Sequence, residues 1–340
     1  MKHEIDLANY KVRTDLLSEI LDRELKDYKR EIKSFDNIKV ETIELDKKSA
    51  GVINKKEGIY KTIYFEDVTD EDNYKKLDKV LTSELKEFFK IKKLDNLKDC
   101  LIIGLGNRMS TPDAIGPLTL DDIKVTRHLF TLGLDVLEKY RSIATFTPGV
   151  MGTTGIETYD AIMGIITKVK PDFIIVIDSL CASSIDRLNK TIQITDTGIH
   201  PGSGIGNNGK ELSYETLNIP VIAIGVPTVL EASTIVSNSI EYLFKHISYE
   251  LDNKDKKSLK FVPTLNRNYK SHKEDLSKEE KEKLLGIVGS LDSDSNKNLM
   301  REVLLPLGYN YIVSSKEIDF VVKKMSMLLA NSLNNSLLLS

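Results

Sequence analysis

The chain has 340 residues, 41% of them hydrophobic and 29% charged, which is enough apolar surface for one large core or two smaller ones. A formal net charge of −3 and a pI of about 6.1 leave no basic footprint for nucleic acid and no cationic face for a membrane surface. Two cysteines, Cys100 and Cys181, cannot build a disulfide framework and stand in no metal-ligand spacing, so a reducing compartment is expected. No apolar run reaches the roughly 18 residues of a spanning helix. The first seven residues lack the apolar centre of a signal peptide, and a cytoplasmic location follows as an expectation.

Taken in order, residues 2–15 alternate charged, polar and apolar side chains and read as an extended arm. From Leu16 to Ile32 a helix is predicted, with Leu16, Leu17, Ile20, Leu21 and Leu25 on one side. Strands are predicted at Lys39–Leu45 and Gly58–Phe65, then a charged helix at Glu71–Phe89. An apolar strand beginning at Leu101 stops at Gly104-Leu-Gly-Asn107, and the chain passes Pro112 to present Asp113 just before a helical stretch. Ser142–Phe146 is a short strand. Tyr159, Ile162, Met163 and Ile166 mark an amphipathic helix over Thr158–Val169, which leads into a β-branched strand from Asp172 to Asp178. Further strands are predicted at Thr191–Thr195 and Val221–Gly225, separated by a glycine-rich loop at 198–209. A helix is predicted from Pro227, with Val236, Ile240, Leu243, Phe244 and Ile247 inward. Residues 252–283 turn to Lys, Glu, Asp, Ser and Asn and form a charged surface excursion, after which Leu299–Pro306 and Glu317–Leu333 dock back. The pattern is α/β, with a mostly parallel central sheet flanked by helices and additional N-terminal and C-terminal α/β elements.

Both Asp113 and Asp178 close strands that are apolar on both faces, and such strands place ligands in the crevice beyond their carboxyl ends. Two carboxylates a few ångströms apart cannot both stay ionised cheaply, so one becomes a neutral acid beside a charged base able to activate water. An acid just before an apolar helix also reads as a helix cap. In the glycine-rich loop, 204–209 matches G-x-G-x-x-G, but Glu211 stands where a phosphate loop needs a hydroxyl, which argues against a nucleotide. His200, Gly202, Ser203 and Gly204 read instead as a substrate-facing loop. Ser203 is no nucleophile elbow, because Pro201 replaces the first glycine. His200 is either a packing residue or a third metal ligand with Asp113 and Asp178. Cys181 is read as a small buried residue rather than a nucleophile.

Gly104-Leu-Gly-Asn107 with Thr111-Pro-Asp-Ala-Ile-Gly-Pro117, Ile177-Asp-Ser-Leu-Cys-Ala-Ser183, residues 194–204 and Ile222-Ala-Ile-Gly-Val-Pro-Thr228 closely resemble the germination proteases of endospore-forming bacteria. The resemblance implies an atypical aspartic endopeptidase, on a fold similar to that of the hydrogenase-maturation peptidases, that degrades small acid-soluble, DNA-coating spore proteins. It implies a homotetramer of the forespore and spore core, with no cofactor, no metal, no direct nucleic-acid contact and no membrane. The family's two essential aspartates match Asp113 and Asp178, although Asp178-Ser-Leu-Cys-Ala182 departs from the usual Asp-Ala-Leu-Ala. The family is also a zymogen that removes its own arm at an acid, apolar, small, Ser, Glu sequence. Asp15-Leu-Leu-Ser-Glu19 fits apart from Leu17, which puts the cut between Asp15 and Leu16, with Asp6-Leu7 a weaker match. Residues 1–15 are then a propeptide and 16–340 a single catalytic domain. The competing reading is a metal-dependent peptidase of the same fold using Asp113, Asp178 and His200.

Overall fold

The computed structural model describes residues 15–24, 28–202, 209–254, 269, 272, 275–304 and 311–338. They form two compact units, a larger one of Thr14–Ala182, Asp186–Val229 and Ser314–Ser340, and a smaller one whose described residues fall within 183–185 and 230–313. Among the described residues no helix is long and apolar enough to cross a membrane.

In chain order the larger unit contains α1 (Leu17–Glu24), β1 (Lys29–Phe35), β2 (Ile38–Leu45), β3 (Gly58–Tyr64), α2 (Glu71–Ile91), β4 (Asp99–Gly104), α3 (Ile115–Asp121), β5 (Ser142–Phe146), α4 (Thr158–Val169), β6 (Phe173–Ala182), β7 (Thr191–Thr195) and all but the last two residues of β8 (Val221–Glu231). The strands form one sheet in the order β1-β2-β3-β7-β8-β6-β4-β5. Its two halves differ. β4 runs parallel to both β5 and β6, whereas β1–β2, β2–β3, β3–β7 and β7–β8 are all antiparallel. The sheet is therefore α/β and mixed, with its parallel character concentrated around the two strands that lead to Asp113 and Asp178.

Side chains alternate across the pleat, and β6 shows what each face meets. Phe173, Ile175 and Ile177 join Ile192 and Ile224 in a core closed by Leu81, Leu85 and Phe88 of α2. Val322, Met325 and Leu329 of the C-terminal helix, Ile318–Ser336, complete it. Ile174 and Val176 point the other way, against Ile162 and Ile166 of α4. By the same parity Asp178 and Leu180 lie on the α4 side, with Gln193 and Thr195 of β7 and Ala223 and Gly225 of β8.

Two expectations are corrected here. The helix predicted over Leu16–Ile32 ends at Glu24, and Lys29–Phe35 is an edge strand joined to β2 by the two-residue turn Asp36-Asn37, with Asp36 left-handed at φ 52°. Its alternating Lys-Arg-Glu-Ile-Lys-Ser-Phe leaves charges outward, as suits an edge. The helix predicted from Pro227 begins at Ala232, because β8 continues buried through Val226–Glu231. Pro227 is tolerated there because antiparallel pairing with β7 ends at Gly225, where the missing N–H is not needed.

In the smaller unit, α5 (Ala232–Asn253) packs on α6 (Ser293–Leu304), and Ile312–Val313 pairs antiparallel with Leu230–Glu231. The inward face of α5 is Ser233, Thr234, Ser237, Asn238, Phe244 and Ser248, while the expected Val236 and Leu243 are exposed. Charged groups are buried here as well: Arg301 of α6 pairs with buried Glu231, and Lys297 Nζ donates to the Ser183 carbonyl at 3.1 Å. The charged run at 278–283 is a helix, Lys278–Leu285, started by a Ser277–Glu280 capping box.

Candidate active site

β4 pairs with β6 up to Gly104, which stands opposite Ile177. There β4 leaves the sheet, and the next residue of β6 is Asp178. The Leu105 N–H donates to the Ile177 carbonyl at 2.8 Å, and the chain turns at Gly106, φ 106°. A Cβ at Gly106 would lie 2.0 Å from the Asp113 carbonyl oxygen, so this turn demands glycine twice over. The Asn107 N–H is shared between the Asp113 carbonyl (3.0 Å) and Asp113 Oδ2 (2.8 Å), and the Asp113 N–H donates to the Ser110 carbonyl at 2.8 Å. The Thr228 hydroxyl fixes the Pro112 carbonyl at 2.6 Å. Helix α3 then packs on the strand ends through Gly104 and Gly116, where a Cβ on Gly104 would lie 2.5 Å from Gly116 backbone. The capping alternative is answered by geometry, since no side chain caps α3 and Asp113 turns back to Asn107.

Burial lifts the Asp113 carboxyl to about 6, against the pull of the Asn107 N–H. Asp178 is 6% exposed and accepts the Ser179 N–H at 2.8 Å. Its carboxyl is pushed well above the usual range, first by burial and then by the charge of Asp113, with Asp15 adding to the effect. Burial thus favours the protonated form of both carboxyls. The strand carrying Asp178 does not end there as its sequence suggested, since β6 continues to Ala182.

On the same face a cleft of about 460 Å³ opens between β3, β7 and β8, with Tyr60, Leu180, Gln193, Thr195, Ala223 and Gly225 among its walls. Asp15 enters it. The Asp15 N–H donates to the Cys181 carbonyl at 3.1 Å, and the Cys181 N–H donates to Asp15 Oδ2 at 2.9 Å. The Gln193 side chain acts on the following peptide in the manner of a neighbouring strand: its Nε2 donates to the Asp15 carbonyl at 3.2 Å and its Oε1 accepts the Leu17 N–H at 2.9 Å. Leu16 and Leu17 are fully buried. The expected cut site, Asp15–Leu16, is thus clamped along β6, close enough for the Asp15 charge to act on Asp178.

His200 lines the cleft and is exposed. Among the described residues no three His, Cys, Asp or Glu side chains are grouped so as to hold a metal ion, so His200 is not brought into a ligand set with Asp113 and Asp178. Gly202 follows with φ 75°; Ser203 and Gly204 lie outside the described residues, as does most of the glycine-rich segment 204–209. Cys181 is buried and contributes its backbone. Gln193 and the cleft's Lys55 were not singled out from the sequence. For Gln193 the signal was present in Thr191-Ile-Gln-Ile-Thr195, whose alternation marks a polar face on a central strand; for Lys55, one of several lysines in a row of turns, there was none.

The sequence profile of the germination proteases matches residues 6–339. The germination protease of Bacillus pumilus (strain SAFR-032) is 44% identical over 99% of this chain and 96% of its own. Those of Priestia megaterium (strain ATCC 12872 / QMB1551) and Bacillus subtilis (strain 168) are each 42% identical with the same coverage. A solved [NiFe] hydrogenase maturation protease, HycI from Thermococcus kodakarensis KOD1, is 16% identical over 43% of this chain and 80% of that one, at a TM-score of 0.26, too slight a likeness to carry structure across. At the identity and coverage of the first three, the chain belongs to the germination protease family and is a peptidase.

Proposed function

We propose that this chain is an aspartic endopeptidase that begins the breakdown of small acid-soluble spore proteins, and that it is made as a zymogen cutting itself between Asp15 and Leu16. Asp178 is the acid and Asp113 the base. The observation that carries this reading is the Asp15–Leu16 segment, hydrogen-bonded to Cys181 and Gln193, with the Asp178 carboxyl, raised by burial and by Asp113, close enough to feel the Asp15 charge. A peptidase takes its substrate as an added strand, and the bond from the Asp15 N–H to the Cys181 carbonyl is of that kind, while the Asp15 carboxylate takes the Cys181 N–H in place of a backbone carbonyl.

In the proposed step, water adds to the Asp15 carbonyl carbon as Asp113 takes its proton, and Asp178 gives its proton to the carbonyl oxygen. The Gln193 amide N–H already points at that oxygen and stabilises the charge developing there. On collapse the C–N bond breaks, the protonated carboxyl of Asp113 passes its proton to the Leu16 nitrogen, and the diol returns a proton to Asp178. No cofactor enters this scheme. The substrates, the homotetramer and the spore-core location follow from the family resemblance, as does the absence of nucleic-acid or membrane contact.

The test is intact mass and N-terminal sequencing of the purified protein, wild type beside Asp113→Asn and Asp178→Asn. A new N-terminus at Leu16 in wild type alone is expected. Processing by either variant at the wild-type rate sinks the aspartate pair, and processing that stops with a chelator and returns with a divalent ion selects the metal-dependent alternative.

A further inference from the structure

The motif Ile222-Ala-Ile-Gly-Val-Pro-Thr228 ends in a buried hydroxyl that reaches the loop carrying Asp113. Ile222, Ile224 and Val226 face the core shared with Ile115 and Leu120 of α3, and by the alternation of a strand Thr228 points to the same side. The backbone before it is held, since the Asn189 N–H donates to the Pro227 carbonyl at 2.8 Å. The Thr228 hydroxyl then donates to the Pro112 carbonyl at 2.6 Å. That carbonyl and the Asp113 N–H belong to one planar peptide unit, which also contains the Asp113 Cα. The N–H end of the unit is taken by the Ser110 carbonyl at 2.8 Å, so both ends are fixed. Ser110 and Asn107, which also hold Asp113, are residues of the same loop and move with it. Thr228 belongs to β8, which lies next to β6 in the sheet. The loop's cation is engaged elsewhere, Arg108 Nη1 donating to Asp121 Oδ1 at 2.9 Å.

We propose that Thr228 is a positioning residue for the peptidase reaction: by tying the Pro112–Asp113 peptide to β8, its hydroxyl sets where the Asp113 carboxyl stands relative to Asp178 on the neighbouring strand. The inference rests on the reading of Asp113 as the base. The Leu105 N–H ties the loop to the Ile177 carbonyl where it leaves β4, whereas Thr228 ties it at the residue before the acid. The place of that tie matters because a catalytic group displaced by about 1 Å can lose on the order of 10²-fold in rate. A loop released from β8 also lets water reach a carboxyl that burial now holds towards its protonated form. Thr228 does not meet the reacting atoms and acts through the peptide plane. Valine in its place keeps the branched shape and removes the donor, while serine keeps the donor and removes a methyl group.

The experiment takes two readouts from full-length Thr228→Val and Thr228→Ser proteins, each shown by its melting curve to be folded at the assay temperature. One is the rate at which the Leu16 N-terminus appears. The other is the pH at which the isotope-labelled Asp113 carboxyl titrates by NMR, its resonance assigned by its loss in Asp113→Asn. Thr228→Val should process roughly 30-fold or more slower, with the carboxyl midpoint at least about 0.5 pH unit below that of wild type as water reaches it. Thr228→Ser should stay within about threefold of wild type and keep the wild-type midpoint, because the donor is retained. Processing of Thr228→Val at the wild-type rate overturns the assignment. So does a slow Thr228→Val with an unmoved midpoint, or a Thr228→Ser as slow as Thr228→Val, since both mark a packing role. Where Thr228→Val does not fold, Thr228→Ala is read on the two measures against the same outcomes. A wild type that never yields a Leu16 N-terminus removes the proposed function itself, and the Asp113 midpoint then still decides whether Thr228 places the acid.

Discussion

The parallel and antiparallel halves of the larger unit's sheet divide the work of the proposed site. In the parallel half, β4 stops at Gly104 and turns through the loop that carries Asp113, while β6 runs on past Asp178 to Ala182, so the two carboxylates meet where one strand ends beside another that continues. In the antiparallel half, β3, β7 and β8 contribute alternate residues along their lengths, Tyr60, Gln193, Thr195, Ala223 and Gly225, so recognition sits on a face rather than at an end. Reacting groups need a low-dielectric pocket that shifts their protons, which a strand end under a helix supplies. A bound peptide needs hydrogen bonds spaced along a chain, which a strand face supplies.

The division is broken most directly by removing the acids. Asp113→Asn and Asp178→Asn should each lower self-processing by roughly 10³-fold or more with the cleft intact, so an isotope-labelled arm should still report its wild-type environment by NMR. Gln193→Ala should cost roughly 10²-fold, falling on kcat rather than KM, because its amide meets the carbonyl oxygen more strongly as charge builds there. If that loss appears in KM alone, Gln193 belongs wholly to recognition. Gly106→Ala should cost on the order of 10²-fold through displacement of Asp113, given the 2.0 Å overlap with its carbonyl. A full-rate Gly106→Ala protein would mean that the turn does not set the carboxylate. The rate of wild type should fall about tenfold per pH unit below about 6 as Asp113 takes up a proton, a limb absent if Asp113 is not the base.

The same division governs what the sequence revealed. Strands of this kind announce themselves: Leu-Ile-Ile-Gly-Leu-Gly marks both β4 and its end, and Phe-Ile-Ile-Val-Ile-Asp marks β6 but not its extent, which runs on to Ala182. The faces of β3, β7 and β8 are joined by residues far apart in the chain, and Gln193 carries no local mark of the partner it meets. The break of the first helix at Glu24 was hidden because Lys29–Phe35 gains its stability from pairing with β2, a non-local term that propensity does not contain. Pro227 misled for a related reason: a proline suits the first turn of a helix, and only the sheet partner's extent tells that its N–H is dispensable in the strand.

The smallest expected effect separates the halves by stability instead of rate. Asp113 is more readily protonated folded, at about 6, than unfolded, near 3.9, so the folded state holds the extra proton between those values. The contribution is fully present below about pH 4, declines as pH rises through about 6, and is absent above it. Asp113→Asn cannot ionise, so it should be more stable than wild type at pH 8 by about 1–3 kcal/mol, and the gap should shrink towards pH 4. Urea unfolding of both proteins across that range measures it. Gln193→Ala should go the other way at every pH, losing about 1–2 kcal/mol, because it strands the Leu17 N–H in a buried site. An acid held against its preference for water is the part of a site whose loss stabilises a protein, whereas a clamp that satisfies buried backbone is not. A gap between Asp113→Asn and wild type that stays constant with pH would place the raised carboxyl elsewhere and undo the assignment of strain to Asp113.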